Sequence, residues 1–150
     1  MSTTHKIPLA YSPKYLDVLA VCCSDGRYIE AVGKFLDAKG VPQHDLLAFP
    51  GGPGTLCRDT ASYAECSGML DAFDFLVESH KTREVLLIAH EHCGYYARRL
   101  GVCEEARQVR DLQRVHTRIR DNHPKVKISL YFAHPQKDAK LGFAFEEISP

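Results

Sequence analysis

The sequence predicts an α/β fold: a single domain with a mainly parallel four-stranded sheet flanked by helices. Three observations predict it. Short apolar runs, β-branched in part, alternate along the chain with longer stretches of helical period. The first run, Leu16 to Cys23, is short and mostly apolar, which suits a buried parallel strand. The residues best equipped for chemistry follow the first and third runs, and parallel sheets bind ligands beyond the carboxyl ends of their strands.

Taken in order, Leu16 to Cys23 reads as a buried strand that ends at Ser24-Asp25-Gly26. Tyr28 to Lys39 reads as a helix stopped by Gly40 and Pro42. Asp45 to Phe49 is a second strand, broken by the run Pro50-Gly51-Gly52-Pro53-Gly54. Asp59 to His80 places Met69, Ala72, Phe73, Leu76 and Val77 on one helical face. Glu84 to Ala89 is the third strand. Tyr95 to Asn122 is expected to be mostly helical, with Val109, Leu112, Val115 and Ile119 as its apolar stripe and Pro124 beyond its end. Val126 to Ala133 is the fourth strand, and Leu141 to Ile148 allows a short fifth strand at the edge. Residues 1–14 are expected to form an extended N-terminal arm of this one domain, 1–150.

The chain has 150 residues, 45% hydrophobic and 25% charged, which suits one core and excludes intrinsic disorder. Lysine and arginine number 19, aspartate and glutamate 19, so a basic nucleic-acid binder is not expected. No apolar run approaches the roughly 20 residues that cross a bilayer, and Met1 to Tyr15 shows no secretory signal. A cytoplasmic location is the expectation, and there the six cysteines would stay reduced.

Cys23-Ser24-Asp25-Gly26-Arg27 follows the first strand, and His90-Glu91-His92-Cys93-Gly94 follows the third. Two thiols and an imidazole suit zinc, a borderline-soft cation. A three-residue step lets a tight loop aim His90 and Cys93 at one point, with Gly94 expected to permit the sharp backbone path. Cys23 must then arrive from a neighbouring strand end, so one ion requires strands one and three to be adjacent. With strand two on the other side of strand one, the order is 2-1-3-4, and its switch point falls at the ligands. Three protein ligands leave a fourth position open, the pattern of a catalytic zinc whose bound water is acidified. Asp25 can accept a hydrogen bond there, and Arg27 can pair with Asp25.

These residues resemble the β class of carbonic anhydrases. Cys23, Asp25 and Arg27 match that family's Cys-x-Asp-x-Arg, and His90, Cys93 and Gly94 match its His-x-x-Cys-Gly. The resemblance extends over most of the chain, through the strand at Asp45, the glycine-rich loop, the long helix before strand three and the strand from Val126. It implies zinc held by Cys23, His90 and Cys93, with Asp25 and Arg27 as the catalytic pair. It also implies reversible hydration of carbon dioxide to bicarbonate by zinc-bound hydroxide, and a homodimer or a higher even oligomer. In some members the aspartate closes the site by moving onto the metal, and Asp25 could do so here. The chain departs from the family at Glu91-His92, inside the second motif, and at Pro50-Gly51-Gly52, after strand two.

Those departures leave a second enzyme reading on the same site, hydrolysis of carbonyl sulfide or carbon disulfide. A zinc-binding protein without turnover is a third reading, and thiol redox chemistry at Cys22, Cys23 or Cys93 a fourth. His92 should point away from the metal, because its neighbour Cys93 points toward it. Cys22 should face packing, opposite Cys23. Cys57, Cys66 and Cys103 read as small apolar fillers. Arg107, Arg110, Arg114 and Arg118 read as a solvated helix face. The glycines at 51, 52 and 54 match no nucleotide-binding pattern, and are expected to let the backbone approach the metal pocket.

Overall fold

In the computed structural model, which describes residues 3–102 and 104–150, nothing before Val18 is helix or strand. The first strand, β1, spans Val18–Cys23, and helix α1 follows at Gly26–Ala38. Strand β2 spans Asp45–Phe49. Helix α2 covers Tyr63–Ser79, and β3 covers Glu84–His90. Two helices come next, α3 at Gly94–Arg99 and α4 at Glu105–Asn122. Strand β4 covers Lys127–Pro135, and β5 covers Phe143–Ile148.

The sheet order is β2-β1-β3-β4-β5. The first four strands pair in parallel and β5 joins β4 antiparallel, so the expected order holds and the edge strand is present. Side chains alternate across the sheet. Leu19, Val21, Val85, Leu87 and Phe132 meet Phe73 of α2 and Leu112 and Val115 of α4. Ala20, Cys22, Leu86 and Ile88 meet Val32 and Leu36 of α1 on the opposite face. Covering both faces removes water from a continuous apolar layer, the main driving force of the fold.

Two helix boundaries differ from expectation. Helix α2 starts at Tyr63 rather than near Asp59, because Ser62 and Glu65 form a capping box. The stretch from Tyr95 to Asn122 is two helices. Gly101, at φ 65°, takes the left-handed conformation just past the end of α3, and the Val102 amide returns to the Tyr96 carbonyl.

The predicted face of four arginines is only partly solvated. Arg107 turns inward and pairs with Asp111, whose side chain is 0% exposed. Thr60 and Tyr96 donate their hydroxyls to the same carboxylate at 2.7 and 2.9 Å. Arg114 pairs with Asp59 at 2.8 Å. A buried carboxylate is retained only when paired and hydrogen-bonded, and Asp111 has all three partners. Cys22, Cys57 and Cys66 are buried. Burial pushes the Cys22 and Cys57 thiols up to about 12, which leaves them protonated and unreactive. Cys103 lies outside the described residues.

Candidate metal centre

Strands β1 and β3 end side by side, and their ends present the donor atoms. Sγ of Cys23, Sγ of Cys93 and a ring nitrogen of His90 all lie within 4.8 Å of one another, and all three residues are buried. The two sulfurs are 4.0 Å apart. That is near the roughly 3.8 Å expected of two thiolates on one tetrahedral zinc, given Zn–S bonds of about 2.3 Å.

His90 supplies the most telling atom. Its Nδ1 lies 2.8 Å from the Glu91 carbonyl. A carbonyl only accepts, so Nδ1 carries the proton and Nε2 presents a lone pair. That Nε2 is buried and has no hydrogen-bond partner among the described residues. Leaving such an atom bare costs about 1–3 kcal/mol, so a buried orphan nitrogen calls for an explanation. A soft cation between it and two sulfurs provides one, and the residues present fit zinc. A second set, Glu105, His134 and Glu146, also brings donor atoms within 4.8 Å, but Glu105 and Glu146 are exposed and no orphan atom marks it.

The two thiols share their protons unequally. Cys93 donating to Cys23, helped by the Gly51 and Asp25 amides, outweighs burial and draws the Cys23 thiol well below its ordinary value. Cys93, facing that sulfur and buried, is pushed up. Cys23 is thus the more acidic sulfur of the pair.

Local sequence explains the placement. Cys23 is the last residue of β1, and Gly52 packs directly on it. A Cβ on Gly52 would stand 2.7 Å from the Cys23 nitrogen, and its φ of 56° also favours glycine. The glycine-rich turn therefore brings backbone against Cys23. The left-handed residue of the second motif is His92, at φ 56°, rather than Gly94. Gly94 opens α3 with Cys93 as its N-cap, and open space surrounds it. The expectation for Gly94 is corrected on that point: the turn reverses one residue before Cys93, not one after.

Asp25 stands outside the three-donor cluster. It caps α1 by accepting the Arg27 amide at 3.0 Å, and the Arg27 side chain grips both of its oxygens, Nε at 3.0 Å and Nη2 at 2.6 Å. The carboxylate is 18% exposed and the guanidinium 65%. The Arg27 fork holds the Asp25 carboxyl down at about 2. His92 is exposed and rests its Nε2 3.3 Å from Glu91, pointing away from the sulfurs as expected. The groove between α1 and β5, about 560 Å³, reaches this region only at Arg27.

Sequence reasoning missed three neighbours of the site. Tyr28 donates its hydroxyl to the Glu91 carbonyl at 2.7 Å, and its ring lies 4.0 Å from the His90 ring. Gln108 donates to the His90 carbonyl at 3.0 Å. Asp111 anchors Tyr96, three residues beyond Cys93. A signal existed for each. Tyr28 shares helical spacing with Val32 and Leu36, and Gln108 and Asp111 are polar residues on the apolar stripe of α4.

No curated protein matches the chain. Among solved structures, a carbonic anhydrase from Streptococcus mutans superposes with a TM-score of 0.59 at 15% identity, covering 94% of this chain and 87% of that one. β-Carbonic anhydrase isoform I from Trichomonas vaginalis gives 0.59 at 13% identity, covering 95% and 87%. At such identities the likeness is one of fold. Residues 14–141 match the profile of the family described as "Putative carbonic anhydrase". With both sequence motifs at adjacent strand ends of a β-class fold, the chain belongs to that carbonic anhydrase family, as a short and divergent member.

Proposed function

We propose that this protein is a zinc-dependent lyase that interconverts carbon dioxide and bicarbonate, with Cys23, His90 and Cys93 as the metal ligands and Asp25 and Arg27 as the catalytic pair. One observation carries the reading: a buried, unpartnered imidazole nitrogen beside two sulfurs 4.0 Å apart, in a chain of a carbonic anhydrase family. Zinc bound there supplies an acidified water, less acidic than on three histidines because two thiolates cancel the ion's formal charge.

The chain's own groups do the rest. Asp25 is ionised at any physiological pH, so its carboxylate only accepts and orients the reacting water by taking its hydrogen bond. Arg27 keeps that carboxylate in one orientation through two parallel N–H bonds. Asp25 lies outside the donor cluster, which favours a site with its fourth position open over a closed, non-catalytic one. Thiolate ligands suit a reducing compartment, and the reading assigns the cytoplasm. It also assigns a homodimer or higher even oligomer. Ile7, Leu9, Tyr11 and Tyr15, large apolar side chains exposed along the N-terminal segment, support that, since such side chains call for cover.

Stopped-flow hydration of carbon dioxide by zinc-loaded protein, from pH 6.5 to 9, tests the reading. A zinc-dependent rate well above buffer is expected. A rate equal to buffer removes this function, and sulfide release from carbonyl sulfide or carbon disulfide in its place would reassign the substrate.

A further inference from the structure

The turn from His90 to Cys93 is gripped along its length. Gln108 donates to the His90 carbonyl at 3.0 Å, Tyr28 to the Glu91 carbonyl at 2.7 Å, and Arg27 Nη2 to the His92 carbonyl at 3.3 Å. The Cys93 carbonyl accepts the Ala97 amide at 3.1 Å and so begins α3. Among these donors Tyr28 is placed to do two things. Its hydroxyl ends on the same carbonyl that accepts the His90 Nδ1–H. Its ring lies against the imidazole, 4.0 Å between centroids and inclined by 37°. Tyr28 is buried in the first turn of α1, five residues after Cys23. The helix launched by one sulfur ligand therefore reaches across to the nitrogen ligand.

We propose that Tyr28 is a positioning residue for His90: its ring sets the plane of the imidazole, and its hydroxyl fixes the Glu91 carbonyl that keeps the proton on Nδ1. Nε2 then remains the bare nitrogen turned toward Cys23 and Cys93. Gln108 holds only the main chain of His90, and Arg27 only that of His92, so neither sets the ring. The consequence for metal binding rests on the zinc reading above; the ring plane and tautomer do not. Outer groups that orient a ligating histidine typically change metal affinity 10- to 100-fold when removed.

Two variants separate the parts of this role. Tyr28→Phe keeps the ring and deletes the hydroxyl, and Tyr28→Leu deletes both. Zinc affinity, measured by competition with a chromophoric chelator, should fall about 10-fold in Tyr28→Phe and further in Tyr28→Leu. The visible absorption bands of the cobalt(II)-loaded protein should change shape in both. Nitrogen-15 NMR of the metal-free protein should show His90 as a single Nδ1–H tautomer in the wild type, and as a mixture in Tyr28→Leu. A merely structural role would lower the unfolding midpoint and leave the affinity, the cobalt bands and the imidazole shifts at wild-type values, which overturns the proposal. If the wild type takes up no zinc or cobalt, the zinc reading fails on its own. The imidazole shifts then decide for Tyr28: unchanged in both variants they overturn its role, and a lost single tautomer upholds it.

Discussion

Cys23 and Cys93 are 70 positions apart in sequence, and their sulfurs stand 4.0 Å apart in the fold. Parallel pairing of β1 with β3 causes the approach, since it sets the carboxyl ends of both strands at one edge of the sheet. Changing Cys23 to Ser removes softness and charge that a hydroxyl cannot replace. Zinc affinity should fall by more than about 100-fold, beyond the usual loss for an outer partner of a ligand. Chelator competition measures it, and stoichiometric zinc retained in Cys23→Ser would count against the ligand assignment.

Asp25 and Arg27 make a prediction about acid. The folded Asp25 value, about 2, lies below the roughly 3.9 of an unstructured aspartate. The folded value is the depressed one, so the pair's stabilisation is fully present above about pH 4 and is lost as pH falls from there through about 2. In Arg27→Ala the Asp25 titration midpoint should rise toward 4, read by carbon-13 NMR of its carboxyl. A midpoint still near 2 would show that something other than Arg27 holds it. Asp25→Ala should keep zinc and lose turnover; unchanged turnover clears Asp25 of its proposed role.

Asp111 is fully buried and shared by Arg107, Thr60 and Tyr96. Removing one partner of a buried pair typically costs about 3–5 kcal/mol, because the other charge stays buried and uncompensated. Asp111→Ala should lose stability of that order in urea unfolding. A loss below about 1 kcal/mol would mean that Arg107 swings out to solvent.

Gly52 tests the close approach behind Cys23. A Cβ there meets the Cys23 nitrogen at 2.7 Å and the Cys22 carbonyl carbon at 3.0 Å, both main-chain atoms that cannot turn aside. The left-handed φ of 56° adds strain for any other residue. Gly52→Ala should cost more than about 1 kcal/mol and weaken zinc binding by displacing Cys23. Wild-type urea unfolding and zinc affinity in Gly52→Ala would show that the turn has room.

Much of this architecture is legible in the sequence, and the rest is hidden for physical reasons. Apolar runs at Val18, Asp45, Glu84 and Lys127 mark strands because both sheet faces are covered, and the two motifs imply that the first and third are neighbours. The break at Gly101 is local and visible, yet the helical period on either side masks it. Arg107 looks like surface because sequence spacing shows a helix face and not what folds over it; the loop at Asp59 and Thr60 covers this one. Tyr28 and Gln108 escape because their partners are main-chain carbonyls, which carry no residue identity to recognise. His92 escapes as the reversing residue because Gly94 sits close by as the apparent choice.

X-ray absorption at the zinc edge, on freshly purified protein, reads the ligand set itself. One zinc per chain is expected, with two sulfur neighbours at about 2.3 Å and a nitrogen at about 2.0–2.1 Å, and one sulfur fewer in Cys23→Ser. Protein that takes up no zinc after loading, or zinc surrounded by oxygen and nitrogen alone, would contradict it.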